Sequence, residues 1–193
     1  MARNHELTIY RRPGAGKGVL TLTSPTVAHA SLVLLVKQWR AGWVQTYLPS
    51  RPNGSLGWVR TGAVRLLKDP WKVVVRLQAH RLVVSRADQV IRTFPIAVGK
   101  RSTPTPAGHF FITELLKQPD PGGAYGPYAF GTSAYSDVLM HFGTGNGQIG
   151  IHGTDQPWVI GSSASHGCIR LYNRDIVWLS QHIPLGTPVR ISA

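Results

Sequence analysis

Cysteine occurs once in this chain of 193 residues, at position 168, within the run Ser165-His166-Gly167-Cys168-Ile169-Arg170-Leu171. Read as an extended strand, the run sends His166, Cys168 and Arg170 to one face and Gly167, Ile169 and Leu171 to the other. The first face carries a thiol between an imidazole and a guanidinium. Such neighbours pull a thiol below its free pKa of roughly 8.5 and make it a nucleophile. His166 is placed to act as the base. Its second ring nitrogen needs an acceptor, and with no Asp or Glu nearby that is a backbone carbonyl or the Ser165 hydroxyl. The backbone amides of Gly167 and Cys168 are candidate oxyanion donors. Arg170 has three open roles: lowering the thiol pKa, anchoring a substrate carboxylate, or bracing the loop.

A second histidine completes the constellation. His152 ends the apolar stretch Ile149-Gly150-Ile151 and is followed by Gly153-Thr154. The small-residue segment Gly161-Ser162-Ser163-Ala164 gives the chain a return that can bring His152 beside Cys168. A zinc site built from His152, His166 and Cys168 is the competing reading. It is disfavoured because the spacing lacks paired ligands and strand neighbours two apart make an awkward tetrahedral pair. No metal or other cofactor is expected.

These residues need a frame, and the composition points to a β-rich one. Glycine and proline are abundant (21 and 14), and apolar residues make up 42% of the chain, enough for a packed core. Residues 72–77, 81–86 and 89–98 read as a three-strand meander. Residues 109–113, 138–142, 148–152 and 187–191 read as further strands. The stretch 117–135, rich in Pro, Gly, Tyr and Ser, reads as a long functional loop, with Tyr125 and Tyr128 as lid candidates by position. One helix follows the cysteine run. Asn173 is its expected N-cap, Asp175 suits its positive end, and Ile176, Leu179 and Ile183 share a face.

Residues 1–68 read as a separate small β module, with strands near 7–10, 19–22, 32–39, 43–48, 57–60 and 63–66. Trp39, Trp43 and Trp58 are expected to fill its small core. The segment from Gly42-Trp43 through Arg51-Pro52-Asn53-Gly54 to Gly57-Trp58-Val59 resembles bacterial SH3-like modules that accompany cell-wall enzymes. Lys68-Asp69-Pro70 marks the expected boundary, and residues 71–193 form the second domain.

The net charge of +13 favours an anionic partner. The basic residues are scattered and no nucleic-acid signature is present, so specific nucleic-acid binding is not expected. Anionic wall polymer is the better candidate. No apolar run approaches the length of a membrane span, and no export signal is visible in residues 1–10.

His152-Gly153-Thr154 followed by Ser165-His166-Gly167-Cys168-Ile169-Arg170-Leu171 resembles the signature of the L,D-transpeptidase (YkuD-like) catalytic domain. Thr103-Pro104-Thr105-Pro106-Ala107-Gly108-His109-Phe110 resembles that family's strand-entry motif. The resemblance spans roughly residues 71–192. It implies a mainly β fold, a β-sandwich with one C-terminal helix, carrying a Cys168–His166 site under a mobile loop. It implies an enzyme acting on peptidoglycan stem peptides through an acyl-Cys168 intermediate, with His152 shaping the pocket. It further implies cross-links between third-position diamino acids, covalent inhibition by carbapenems and an extracytoplasmic location. A monomer is expected. An L,D-carboxypeptidase and a non-catalytic wall-binding protein are the alternatives.

Overall fold

The computed structural model describes residues 1–141, 143 and 145–193. The first part of the chain forms β1 (Glu6–Ile9), β2 (Leu20–Thr23), β3 (Val36–Arg40), β4 (Trp43–Tyr47) and β5 (Leu56–Arg60). β1 pairs with β2, and β3-β4-β5 form an antiparallel sheet. Leu7, Ile9, Leu32, Val44, Leu48, Val59 and Val64 bury a small core of their own.

Three expectations fail here. Residues 32–35 lie outside β3, and residues 61–63 form a 3-10 turn where a strand over 63–66 was expected. Of the three tryptophans only Trp58 is buried, while Trp39 stands 75% exposed. Trp39 sits on β3, an edge strand exposed along its whole length, so nothing covers it.

The second part carries β6 (Trp71–Arg76), β7 (Arg81–Arg86), β8 (Gln89–Pro95), β9 (Val98–Gly99), β10 (Gly108–Lys117), β11 (Tyr128–Tyr135), β12 (Gln148–His152), β13 (Ser163–Ser165), β14 (Ile169–Arg170), α1 (Asn173–His182) and β15 (Pro188–Ser192). Eight of these strands make one mixed sheet in the order β14-β12-β11-β10-β15-β6-β7-β8. The sheet curls until its ends meet: Ala97, just past β8, exchanges backbone hydrogen bonds with Arg170 of β14 at 2.9 Å in each direction. The expected mainly β domain is built around this one curled sheet. Its inner face buries Val75, Leu82, Phe94, Phe110, Phe130, Ile149 and Ile169 together. Each such side chain contributes roughly 1.5–3 kcal/mol of burial free energy.

β6, β7, β12 and β15 fall within a residue or so of their expected bounds. The expected loop over 117–135 is mostly strand. β10 runs on to Lys117 and β11 begins at Tyr128, so only residues 118–127 connect them. β11 escaped notice because its interior residues include Thr132 and Ser133. Both are satisfied inside: Thr132 donates to the Ile149 carbonyl at 2.6 Å, and Ser133 accepts from the Phe111 amide at 3.1 Å. No strand occupies residues 138–141, and Phe142 of that expected strand lies outside the described residues.

The helix appears where its apolar spacing placed it, with Ile176 and Leu179 buried. Its N-cap is Tyr172, not Asn173. The Asn173 carboxamide instead accepts the Thr154 amide at 2.8 Å, tying the helix start to the segment after β12.

Candidate active site

The expected continuous strand through the cysteine run is broken. β13 ends at Ser165, the chain bends at His166-Gly167, and β14 starts at Ile169. Gly167 has φ +119°, a left-handed conformation that disfavours any side chain, and a Cβ there would lie 2.9 Å from Ile149 Cδ1. Despite the bend, His166, Cys168 and Arg170 line one cavity, and Ile169 and Leu171 are fully buried on the other side.

Hydrogen bonds from two directions hold the bend. The Ser165 hydroxyl donates to the Cys168 carbonyl and accepts the Gly167 amide at 3.1 Å. Thr105 Oγ1 donates to the Gly167 carbonyl at 2.8 Å, and Thr103 Oγ1 donates to the Ser165 carbonyl at 3.2 Å. The Ser165 proton is therefore engaged with the Cys168 carbonyl. The Gly167 amide is engaged with Ser165, which removes it from the oxyanion donors and leaves that of Cys168. Thr103 and Thr105 are positioning residues that the sequence showed only as part of a motif.

β12 and β14 run parallel, with Ile151 beside Ile169 and His152 beside Arg170. This pairing carries out the expected return. The Gly150 amide donates to Cys168 Sγ at 3.3 Å. A Cβ built on Gly150 would lie 3.6 Å from His152 Cδ2 and 3.8 Å from that sulfur, so imidazole and thiol flank the same glycine.

Cys168 is half-buried as a residue, but its thiol is withdrawn from water, and burial pushes its pKa up. The Gly150 hydrogen bond and the Arg170 charge pull it back without cancelling the rise. The expected resting thiolate is corrected accordingly: the cation is present, but desolvation outweighs it. His152 is 3% exposed. Its pKa is lowered from 6.5 to about 4, first by burial and also by the Arg170 charge, against the opposing Gly153 carbonyl and Asp155. The ring is neutral at ordinary pH. It therefore donates through Nδ1–H to the Gly153 carbonyl at 2.6 Å, which leaves Nε2 as an acceptor.

The cavity has a volume of about 480 Å³. Its walls come from β10, β11, β12 and the residues Ser136, Leu139 and Gly145-Asn146-Gly147, and Ala124 and Tyr125 also line it. The Tyr125 ring lies 4.8 Å from the His152 ring. Tyr128 belongs to β11, packs against the core and does not line the cavity, so it is no lid residue. Arg170 Nη1 donates to Gln156 Oε1 at 3.2 Å, while its buried Nε has no partner among the described residues. No group of three His, Cys, Asp or Glu side chains among the described residues is arranged to hold a metal ion.

Two residues at the cavity, one lining it and one bracing its wall, lie outside the sequence motifs. Glu114 of β10 places a carboxylate in the cavity. Arg51 of the first part of the chain reaches the cavity wall, donating to the carbonyls of Asn146 at 2.9 Å, Leu139 at 3.1 Å and Ser136 at 3.4 Å. Its guanidinium lies 4.6 Å from the centre of the Tyr135 ring.

A curled β sheet with a lone thiol, two histidines and an arginine at one cavity defines a class of cysteine-bearing catalytic domain. Residues 70–191 match the family model described as YkuD, L,D-transpeptidase catalytic domain, and the chain belongs to that family. It is 40% identical over 123 residues to YkuD of Bacillus licheniformis, covering 64% of this chain and 66% of that one. It is 27% identical over 122 residues to L,D-transpeptidase 1 of Mycobacterium tuberculosis, covering 61% of this chain and 49% of that one. The chain thus matches just under two thirds of the first relative's length and about half of the second's. Among solved structures, L,D-transpeptidase LdtMt1 in complex with imipenem superposes with a TM-score of 0.54 at 19% identity, covering 83% of this chain and 94% of that one. Bdellovibrio bacteriovorus Bd1075 superposes with 0.51 at 28% identity, covering 64% and 48%.

Proposed function

We propose that this chain is a peptidoglycan L,D-transpeptidase working through an acyl-Cys168 intermediate. The observation that carries this reading is the Cys168 sulfur at a cavity shared with His166, His152 and Arg170, accepting the Gly150 amide. Cys168 attacks the carbonyl of the third, diamino-acid residue of a donor stem tetrapeptide. His166 takes the thiol proton during attack and returns it to the amine of the departing D-alanine. Because the thiol rests protonated, this transfer accompanies carbon–sulfur bond formation. The Gly150 amide and the Arg170 charge stabilise the sulfur as it becomes anionic, and the Cys168 amide faces the developing oxyanion. The acyl group then passes to an amine of a second stem. His166 receives that amine's proton, and the thiol is released. Neutral His152 braces the pocket through Gly153 and Tyr125.

β-Lactams fit the same site, since an activated acyl donor meets the same thiol. Proteins of this fold have been captured with imipenem and as a faropenem-derived adduct. We further assign residues 1–68 to an SH3-like module and residues 71–193 to the catalytic domain. The surplus of cations holds anionic wall polymer on the extracytoplasmic side. Incubation with a purified stem tetrapeptide tests the activity. Cross-linked dimer by mass spectrometry is expected from the wild type and absent from C168A. Tripeptide without dimer would identify a carboxypeptidase, and unchanged wall binding by C168A with no product from either protein would identify a binding protein.

A further inference from the structure

The cavity holds a carboxylate that the transpeptidase chemistry just described does not use. Glu114 of β10 stands opposite Gly131 of β11, and Gly131 stands opposite Gly150 of β12. Gly150 in turn contacts the Cys168 sulfur. Glutamate, two glycines and the thiol thus form one row across the sheet. The side chain of Glu114 lies down on Gly131: a Cβ at that glycine would come within 2.3 Å of Glu114 Oε1. The glycines clear a floor between carboxylate and sulfur of roughly one to two strand spacings, about 5–10 Å.

The charge of this site is unusual for the molecule. The chain has 21 Lys and Arg against 8 Asp and Glu, yet among the described residues no cation lies within 4.0 Å of Glu114. Among the described residues the sole ion pair within 4.0 Å is Arg174–Asp175. Among the described residues Glu114 is the one acidic residue lining the cavity. Burial pushes its carboxyl up from the ordinary value, and the Gln148 side chain opposes that only in part. A half-buried carboxylate without a cation loses hydration that a cationic ligand would replace.

We propose that the Glu114 carboxylate binds a primary ammonium carried by the stem peptide, and so selects substrates with a diamino acid at the third position. The proposal rests on the transpeptidase reading. The ammonium belongs either to the side chain of the donor's third residue or to the incoming acceptor, and the two sources separate experimentally.

Acylation of Cys168 is followed by intact mass for wild type, E114Q and E114D. The donors are a tetrapeptide with a free third-residue side-chain amine, the same peptide N-acetylated at that amine, and faropenem. Wild type is expected to favour the free amine by about ten- to hundredfold, as a charge-assisted contact allows. E114Q loses that preference, and anionic E114D recovers part of it. A merely structural role would slow both peptides equally. If the amine is the acceptor's, E114Q acylates like wild type, but the acceptor concentration for half-maximal cross-linking rises about tenfold or more. Neither change, in an E114Q protein that still reacts with faropenem, overturns the proposal. No acylation of wild type by any donor overturns the transpeptidase reading, and the proposal with it.

Discussion

Acidification is expected to destabilise the folded chain through His152. Its pKa falls from 6.5 to about 4 on folding, chiefly because the ring is buried. Above about pH 7 the ring is neutral in both states and contributes nothing to the pH dependence. As pH falls through 6.5, the unfolded chain binds a proton that the folded chain refuses, and stability drops until the folded pKa near 4 is reached. Each unit of difference corresponds to about 1.4 kcal/mol, so the loss is about 2 kcal/mol at pH 5 and about 3 kcal/mol at pH 4. Glu114 and Asp175 have raised pKa values and act in the opposite sense, since the folded state takes up their protons more readily. The clean quantity is therefore the difference between wild type and H152Q, by urea unfolding at a series of pH values. The advantage of wild type over H152Q at about pH 7.5 should shrink by about 3 kcal/mol at about pH 4. A gap that stays constant would mean that the ring protonates freely inside the fold, and the assignment of a buried, neutral His152 would fail.

Other outcomes follow from the same geometry. Iodoacetamide should modify Cys168 at a rate that keeps rising beyond the ordinary thiol range, because burial raises that pKa; a plateau near neutral pH would contradict the buried thiol. T105A leaves the Gly167 carbonyl without its donor and should cost about 1–3 kcal/mol in urea unfolding, with slower acylation by faropenem. R51A removes three hydrogen bonds to the cavity wall. Amide exchange over the described part of residues 136–147 should accelerate, while β6 to β8 remain protected.

The residues that share the cavity are more legible in the sequence than the backbone geometry that presents them. His152, His166, Cys168 and Arg170, singled out by type and order, do line one cavity, and the strands with clean apolar alternation fell close to place. The bend at His166-Gly167 was hidden because the run alternates like a strand; only Gly167 hinted that the backbone turns there. β11 was hidden because buried hydroxyls, those of Thr132 and Ser133, interrupt its apolar alternation. The thiol pKa was misjudged because sequence shows neighbouring charge but not depth. Glu114 gave one faint signal, an acid within an apolar strand of a strongly basic chain. Arg51 gave none, because its partners are backbone carbonyls about ninety residues away.

The proposed chemistry requires Cys168 to accept an acyl group. Intact-mass spectrometry after incubation with imipenem tests this directly. Wild type is expected to gain the mass of one opened β-lactam, located on the peptide that contains Cys168, while folded C168A gains nothing. A wild-type protein that keeps its mass, or a C168A protein that gains the same adduct, would contradict it.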